Sequence, residues 1–416
     1  MAKSLILLGL QFGDEGKGKI ADYLGARFSA GIRFNGANNA GHTVVISETK
    51  LVLSHLPSSA LTGHPLYIAQ GCSINPAVLI EEIKKVRVLT DKFELHLDPR
   101  CHVIMPYHVL LDQASESYRS QKVGSLKLGV GFSYEDKTNR DGIRIADLFS
   151  KKTLLLKLRD IWELKSLRLE RVYKSKFNLD LATIADDYAR YGKILREYTS
   201  PVPEGIIEEW KKKRFLFESA QAFYLDYSFG TYPFTVAYNT LASSVYTGVG
   251  LPPYPIDVMG IVRAYTIRVG NGAFPTEQDN KIGKKLRVIG SEYGAVSKRD
   301  RRCGWLDLPL LSYAVKMNNV KSIALTKIDV LSQFKKIKVC IAYTNNKSSF
   351  YSLPDLDRVK PVYKIFEGWN RDITQAKKWS DLPLNCQRYI KFIEATLNIP
   401  INIISVGPDR SQTIEL

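Results

Sequence analysis

The sequence predicts an α/β fold around a largely parallel sheet. Short apolar runs alternate with helical patterns along its 416 residues. The first run stops at glycines and turns helical at once, a strand–loop–helix order. No internal repeat, low-complexity tract or clear linker interrupts the chain.

The elements follow in order. "SLILLGL" is a buried strand, "GKIADYLGARF" a helix and "AGIRFNG" a second strand. "HTVVISETKLVLSHLP" alternates like a hairpin with its turn near Glu48–Thr49. "PLYIAQG" and "FELHLD" are strands, and "YHVLLDQASESY" is a helix. "NPAVLIEEIKKVRVL" opens with an Asn-Pro cap and keeps helical spacing. Residues 150–199 are helical and charged, "RFLFESAQ" is strand-like, and 220–255 is loop-rich. "VMGIVRAYTIRV" fits a strand or a buried helix. "SIALTKIDVL" reads as strand then turn, "KVCIAYT" and "PINIISVGPD" as strands, and "NCQRYIKFIEATLN" as a C-terminal helix.

Composition narrows the class. Hydrophobic residues make up 45% and charged residues 24%, ordinary for a globular chain. The seven-residue apolar stretch near the start is too short to span a bilayer and lacks a small-residue cleavage site. Cys72, Cys101, Cys303, Cys340 and Cys386 are far apart and form no C-x-x-C pair, which reads as reduced thiols in a cytoplasmic compartment. The net charge of +17 attracts anions, yet the lysines lie in scattered short runs such as 211–214, as on a solvated surface. Zinc-finger spacing, an RRM motif and a basic zipper are all missing, so nucleic acid is not an expected partner.

Three stretches carry chemistry. In "QFGDEGKGKIADYL", glycines between a strand and a helix let backbone N–H groups approach a phosphate, and Lys17 adds a point charge. The Walker pattern is missed, because Lys17 is followed by Gly18 and not by Ser or Thr. Asp14 is the obvious oxygen ligand for a hard cation in place of that hydroxyl. "ALTKIDVL" places Thr326-Lys327-x-Asp329 after a strand, close to the [NT]-K-x-D signature that reads guanine, so GTP is favoured over ATP. "RFNGANNAGHT" makes a polar turn whose His42 can contact a phosphate or supply a proton. His102 and His108 read as satisfied core residues, and His55, His64 and His96 carry no motif.

Together with "GTYPF", "RRCGWLDL" and "SVGPDR", these words resemble the adenylosuccinate synthetase family from the first strand to the C-terminus. The resemblance implies one large α/β domain over 1–416, with a central mostly parallel sheet, a P-loop-like GTP site, helical and loop subdomains, and a helical insertion at about 145–200. It implies a GTP- and Mg²⁺-dependent ligase of purine biosynthesis that joins L-aspartate to C6 of IMP through a 6-phosphoryl intermediate. Asp14 would be the base at N1 and a Mg²⁺ ligand, with the Gly41 backbone as a second ligand. His42 would be the acid, Lys17 would stabilise the transferring phosphoryl group, and Gln221 would contact the purine. GTP would meet Gly13, Glu15, Gly16, Lys17, Gly18, His42, Thr43, Arg301, Lys327, Asp329, Ser405 and Gly407. Asn39 and Arg299 would hold the acceptor nucleotide, and Arg140 would reach it across a homodimer. Arg299 and Arg301 would also meet aspartate.

The chain departs from the family pattern where the acceptor should sit. The loop before "YEDK" reads "GSLKLGVGFS", putting Leu126 where a phosphate-binding threonine is expected, and Val236 replaces another threonine. Each loss removes a hydrogen bond worth about 1.5–3 kcal/mol to a charged group. Ser125 and Lys127 are the expected replacements in the acceptor-phosphate site. The aspartate loop reads "AVSKRDRR", where Val296 and Asp300 depart from the pattern and Ser297 is the expected aspartate contact. Two alternatives follow: a paralogous ligase with a changed acceptor or amino acid, and a non-catalytic GTP- or nucleic-acid-binding protein.

Overall fold

The structure, a computed structural model, describes residues 4–46, 49–294, 300–344 and 356–416. Its centre is a nine-stranded sheet. From one edge to the other the strands are Thr413–Glu415, Ile401–Ser405, Ser322–Thr326, Asp257–Arg263, Leu5–Gly9, Phe215–Ala222, Ala30–Arg33, Leu66–Ile68 and Leu95–Leu97. Every neighbouring pair is parallel except the edge pair of Ile401–Ser405 with Thr413–Glu415. Parallel strands covered on both faces must be apolar throughout, and "SIALT" at 322–326 is buried at every position.

The first strand lies mid-sheet, between strands that follow it by some two hundred residues. Its loop and helix Lys17–Gly25 therefore open at the carboxyl ends of the parallel strands, where α/β sheets bind ligands. The expected hairpin is present as Thr49–Leu53 against His42–Ile46; Thr49, expected in the turn, already pairs with Ile46, and Glu48 lies outside the described residues. Asn75 caps helix Pro76–Leu89 by accepting from the Val78 N–H at 3.3 Å. The ambiguous 257–268 stretch is two strands, Asp257–Arg263 and Thr266–Arg268. Helices Val130–Asn139, Lys281–Gly290 and Leu308–Met317 were not singled out by periodicity.

Two large apolar clusters hold the layers together. One unites the central strands with helices Leu308–Met317 and Leu384–Leu397. The other packs Leu66–Ile68 and Leu95–Leu97 against helices Pro76–Leu89, Lys151–Leu167 and Leu181–Leu195. All five cysteines are buried and free.

Candidate active site

The glycine-rich loop is built around a buried acid. Glu15 is fully buried; its Oε1 accepts from the N–H groups of Gln11 (3.1 Å) and Gly13 (2.8 Å), and its Oε2 accepts from Lys17 Nζ (2.7 Å). A Cβ on Gly9 would lie 2.3 Å from Glu15 Oε2, so only glycine fits there. Glu15 thus braces the loop from beneath and is not among the residues lining the cavity above.

Asp14 stands on the loop in the left-handed region at φ 60°. Arg263 Nε donates to its backbone carbonyl at 2.7 Å, and Arg301 Nη2 lies 2.7 Å from its Oδ2. The carboxylate stays 35% exposed, facing a cavity of about 1140 Å³. That cavity brings together Gly13, Asp14, Gly16, Lys17, Gly18, Asn39, Gly41, His42, Thr43, Ser125, Gln221, Arg301, Lys327, Asp329, Ser405 and Gly407.

His42 follows the Asn38–Gly41 turn at the start of the hairpin. Its Nδ1 is hydrogen-bonded to Glu218 Oε1, leaving Nε2 for a ligand. Ser58 holds the same carboxylate through Oγ (2.5 Å) and N–H (2.7 Å). Burial, aided by Arg33, lowers the His42 pKa against the pull of Glu218, which favours the neutral ring. Burial alone would raise Glu218, but His42, Arg33 and Ser58 hold it at about 2. Glu218 was missed in the sequence, although an acid inside the apolar "RFLFESAQ" run was the available signal.

The end of the cavity at Lys327 and Asp329 joins three distant segments. Lys327 adopts φ 60° and donates to the Gly290 carbonyl at 2.8 Å. Asp329 Oδ1 is buried with no partner among the described residues. Burial, against the pull of Lys327, raises the Asp329 pKa. Lys19 Nζ donates to Ser405 Oγ (2.6 Å) and to the carbonyls of Gly407 (2.6 Å) and Gln412 (2.8 Å), pinning the C-terminal loop to the first helix.

Elsewhere the cavity is lined by Leu126, Leu128, Val130 and Val236 as well as Asn39, Ser125 and Gln221. Gln221 sits at φ 64°, within the register shift of its strand against Leu5–Gly9. The loop is held by carboxylates: Asp112 accepts from Gly129 N–H at 2.9 Å and Glu116 from Gly124 N–H at 2.7 Å. Lys127 is exposed and not among the lining residues; it sits at φ 59° and its N–H donates to Ser125 Oγ at 3.0 Å. Arg140 is exposed at the end of helix Val130–Asn139 and does not line its own chain's cavity. Val296, Ser297 and Arg299 lie outside the described residues. Asp300 is exposed and pairs with Arg287 at 2.9 Å.

The family model for adenylosuccinate synthetase matches residues 6–414. The chain belongs to the adenylosuccinate synthetase family. It is 42% identical over 420 residues to the adenylosuccinate synthetase of Acetivibrio thermocellus, covering 98% of both chains. It is also 42% identical over 421 residues to that of Fusobacterium nucleatum subsp. nucleatum, covering 99% of this chain and 98% of the relative. The solved structure of fully ligated adenylosuccinate synthetase from Plasmodium falciparum matches with a TM-score of 0.94 at 33% identity, over 100% of both chains. A cyanophage S-2L succinoaminodeoxyadenylate synthetase bound to dGMP and dATP matches at TM-score 0.64 and 19% identity, over 100% of this chain and 96% of that one; it shares the fold. The chain is thus a GTP- and Mg²⁺-dependent ligase that joins L-aspartate to IMP. Full-length likeness to the synthetases does not favour a changed acceptor, whatever the losses at Leu126 and Val236.

The residues fit Mg²⁺. Asp14 presents a partly exposed carboxylate to the cavity and Gly41 also lines it. No group of three or more His, Cys, Asp or Glu side chains among the described residues forms a closed metal cage. One carboxylate beside a phosphate site is how Mg²⁺ is commonly held, with substrate phosphates completing its shell. No helix among the described residues is long and apolar enough to cross a membrane.

Proposed function

We propose that Asp14 and His42 are the base and the acid of the ligation. One observation carries this reading: both line one cavity with Lys17 between them in sequence, and each is held by its own buried partners. Asp14 takes the proton from N1 of IMP, and O6 then attacks the γ-phosphorus of GTP. Lys17 neutralises charge on the phosphoryl group in transfer. His42, charged once the triphosphate arrives and stabilised by Glu218, gives its Nε2 proton to the bridging oxygen of the departing GDP. The amine of aspartate then displaces phosphate at C6, leaving adenylosuccinate. Mg²⁺, held by Asp14 and the Gly41 carbonyl, would neutralise phosphate charge when bound.

Lys327 and Asp329 take guanine, with Ser405 and Gly407 closing the ring's far side. Gly13, Gly16, Gly18, Thr43 and Arg301 meet the phosphates, and Glu15 acts through the loop it braces. Asn39, Ser125, Gln221 and Arg299 hold the acceptor, and Ser297, Arg299 and Arg301 hold aspartate. As in its family, the chain works as a homodimer. Arg140 crosses to the partner's acceptor site, a role supported by its exposure away from its own cavity. Residues 1–416 form one domain with a helical insertion at about 145–200, working in the cytoplasm, where buried free thiols are at home.

The test is to mix protein, GTP, Mg²⁺, L-aspartate and IMP and follow the ultraviolet absorbance of adenylosuccinate. Robust product is expected. No product with GTP binding intact would overturn the acceptor assignment.

A further inference from the structure

Below the cavity floor lies a carboxylate that no reaction step uses. Glu292 follows helix Lys281–Gly290 and is fully buried. Its Oε1 is hydrogen-bonded to Arg263 Nη1 and to the Tyr265 hydroxyl. Its Oε2 accepts from Arg301 Nη1 at 2.9 Å, and Lys327 Nζ stands 4.0 Å from Oε1. Each of these cations goes on to the site. Arg263 Nε donates to the Asp14 carbonyl, Arg301 Nη2 meets the Asp14 carboxylate, and Lys327 lines the guanine end.

We propose that Glu292 is a positioning residue that aims Arg263 and Arg301 at Asp14 and Lys327 at guanine, so that one buried charge sets both the base and the nucleotide pocket. Arginine and lysine side chains are long and lose rotamer freedom only when something fixes them. Arg301 has one end on Glu292 and the other on Asp14, so its fork is set before any ligand arrives. Arg263 holds a backbone that sits in the left-handed region, where a non-glycine residue needs support. Three cations face one carboxylate, and the surplus positive charge is what a triphosphate meets.

Charge and positioning predict opposite signs. Glu292→Gln keeps the shape and an acceptor oxygen but removes a negative charge from beneath an anion site. Charge alone would tighten GTP. Positioning predicts weaker binding, because the amide nitrogen repels one of the guanidinium groups it must hold. The inference rests on the roles proposed above for Asp14, Arg301 and Lys327. GTP affinity is therefore read first by calorimetry without acceptor, which does not depend on Asp14 being the base. Expected in Glu292→Gln are a Kd for GTP raised at least tenfold, kcat lowered at least tenfold and KM for aspartate raised, with KM for IMP within twofold. A merely structural residue would lower Tm and leave these ratios unmoved. Should Glu292→Gln not fold, Glu292→Asp keeps the charge and shortens the reach, and the same split is expected at smaller size. Unchanged or tighter GTP binding in the variant that folds would overturn the inference. A parent protein that binds no GTP would instead refute the nucleotide-site reading.

Discussion

Asp329→Asn probes the guanine pocket with one atom exchanged. Asp329 Oδ1 is buried and without a partner among the described residues, a costly state that a ligand donor relieves. Guanine offers two donors side by side, N1–H and the 2-amino group. An asparagine keeps one acceptor and turns the other into a donor. The loss is at least one charge-assisted bond, about 1.5–3 kcal/mol, or roughly 10- to 150-fold in GTP Kd. Xanthine carries a carbonyl at position 2, which the new amide can serve, so XTP binding should strengthen. Stability should not fall. Burial raises the Asp329 pKa, so its ionised form costs the fold stability as pH rises above the ordinary carboxylate range, and an uncharged amide lifts that cost. Calorimetric titration with GTP and XTP, beside a melting curve, checks all three. GTP affinity within threefold of the parent, or no gain for XTP, would remove Asp329 from the pocket.

Asp14→Asn should abolish product formation while GTP binding stays measurable by calorimetry; substantial residual turnover would sink Asp14 as the base. Glu218→Gln should lower kcat about 10- to 100-fold, because the imidazolium of His42 loses its counter-charge, and steady-state kinetics read this directly. With Glu218 held at about 2, its stabilisation is present above the ordinary carboxylate range and lost as pH falls through about 2, so the variant should also shed that share of acid-sensitive stability. Burial pulls Lys19 down to about 7, against the pull of Asp329 and Asp409. As pH rises through 7 the group drops one donor for its three acceptors, so the Kd for GTP should climb between pH 7 and 8.5. In Lys19→Met that Kd should be weaker and flat. Fold stability in the parent should instead rise with pH over this range, since the unfolded chain holds this proton where the fold has released it.

Much of the site was legible because its words are local. The strand–glycine–helix unit, Thr326-Lys327-x-Asp329 and the His42 turn each fit within a dozen residues, and the structure brings all three to one cavity. What escaped was held by distance. Glu218 meets His42 across 176 positions, and Arg263 meets Asp14 across 249, with no spacing rule to join them. Lys127 shows the converse. Its charge suggested a phosphate contact, but the side chain's direction depends on a left-handed backbone that charge does not encode. Glu15 read as a phosphate-loop residue, yet burial beneath Gln11 and Gly13 makes it the loop's brace.

Lys19 and Ser405 are 386 positions apart, and one hydrogen bond joins them. A ribosome releases the glycine-rich loop long before it makes the strand Ile401–Ser405. Until then Lys19 on the first helix has no loop at 405–412 to clasp, and closing so long a span comes late in folding. The cavity lined by Lys17, Ser405 and Gly407 is therefore complete only in a chain whose two ends have met. A ligand that needs the complete cavity selects finished molecules and, by mass action, favours the completed fold over its unfinished precursors.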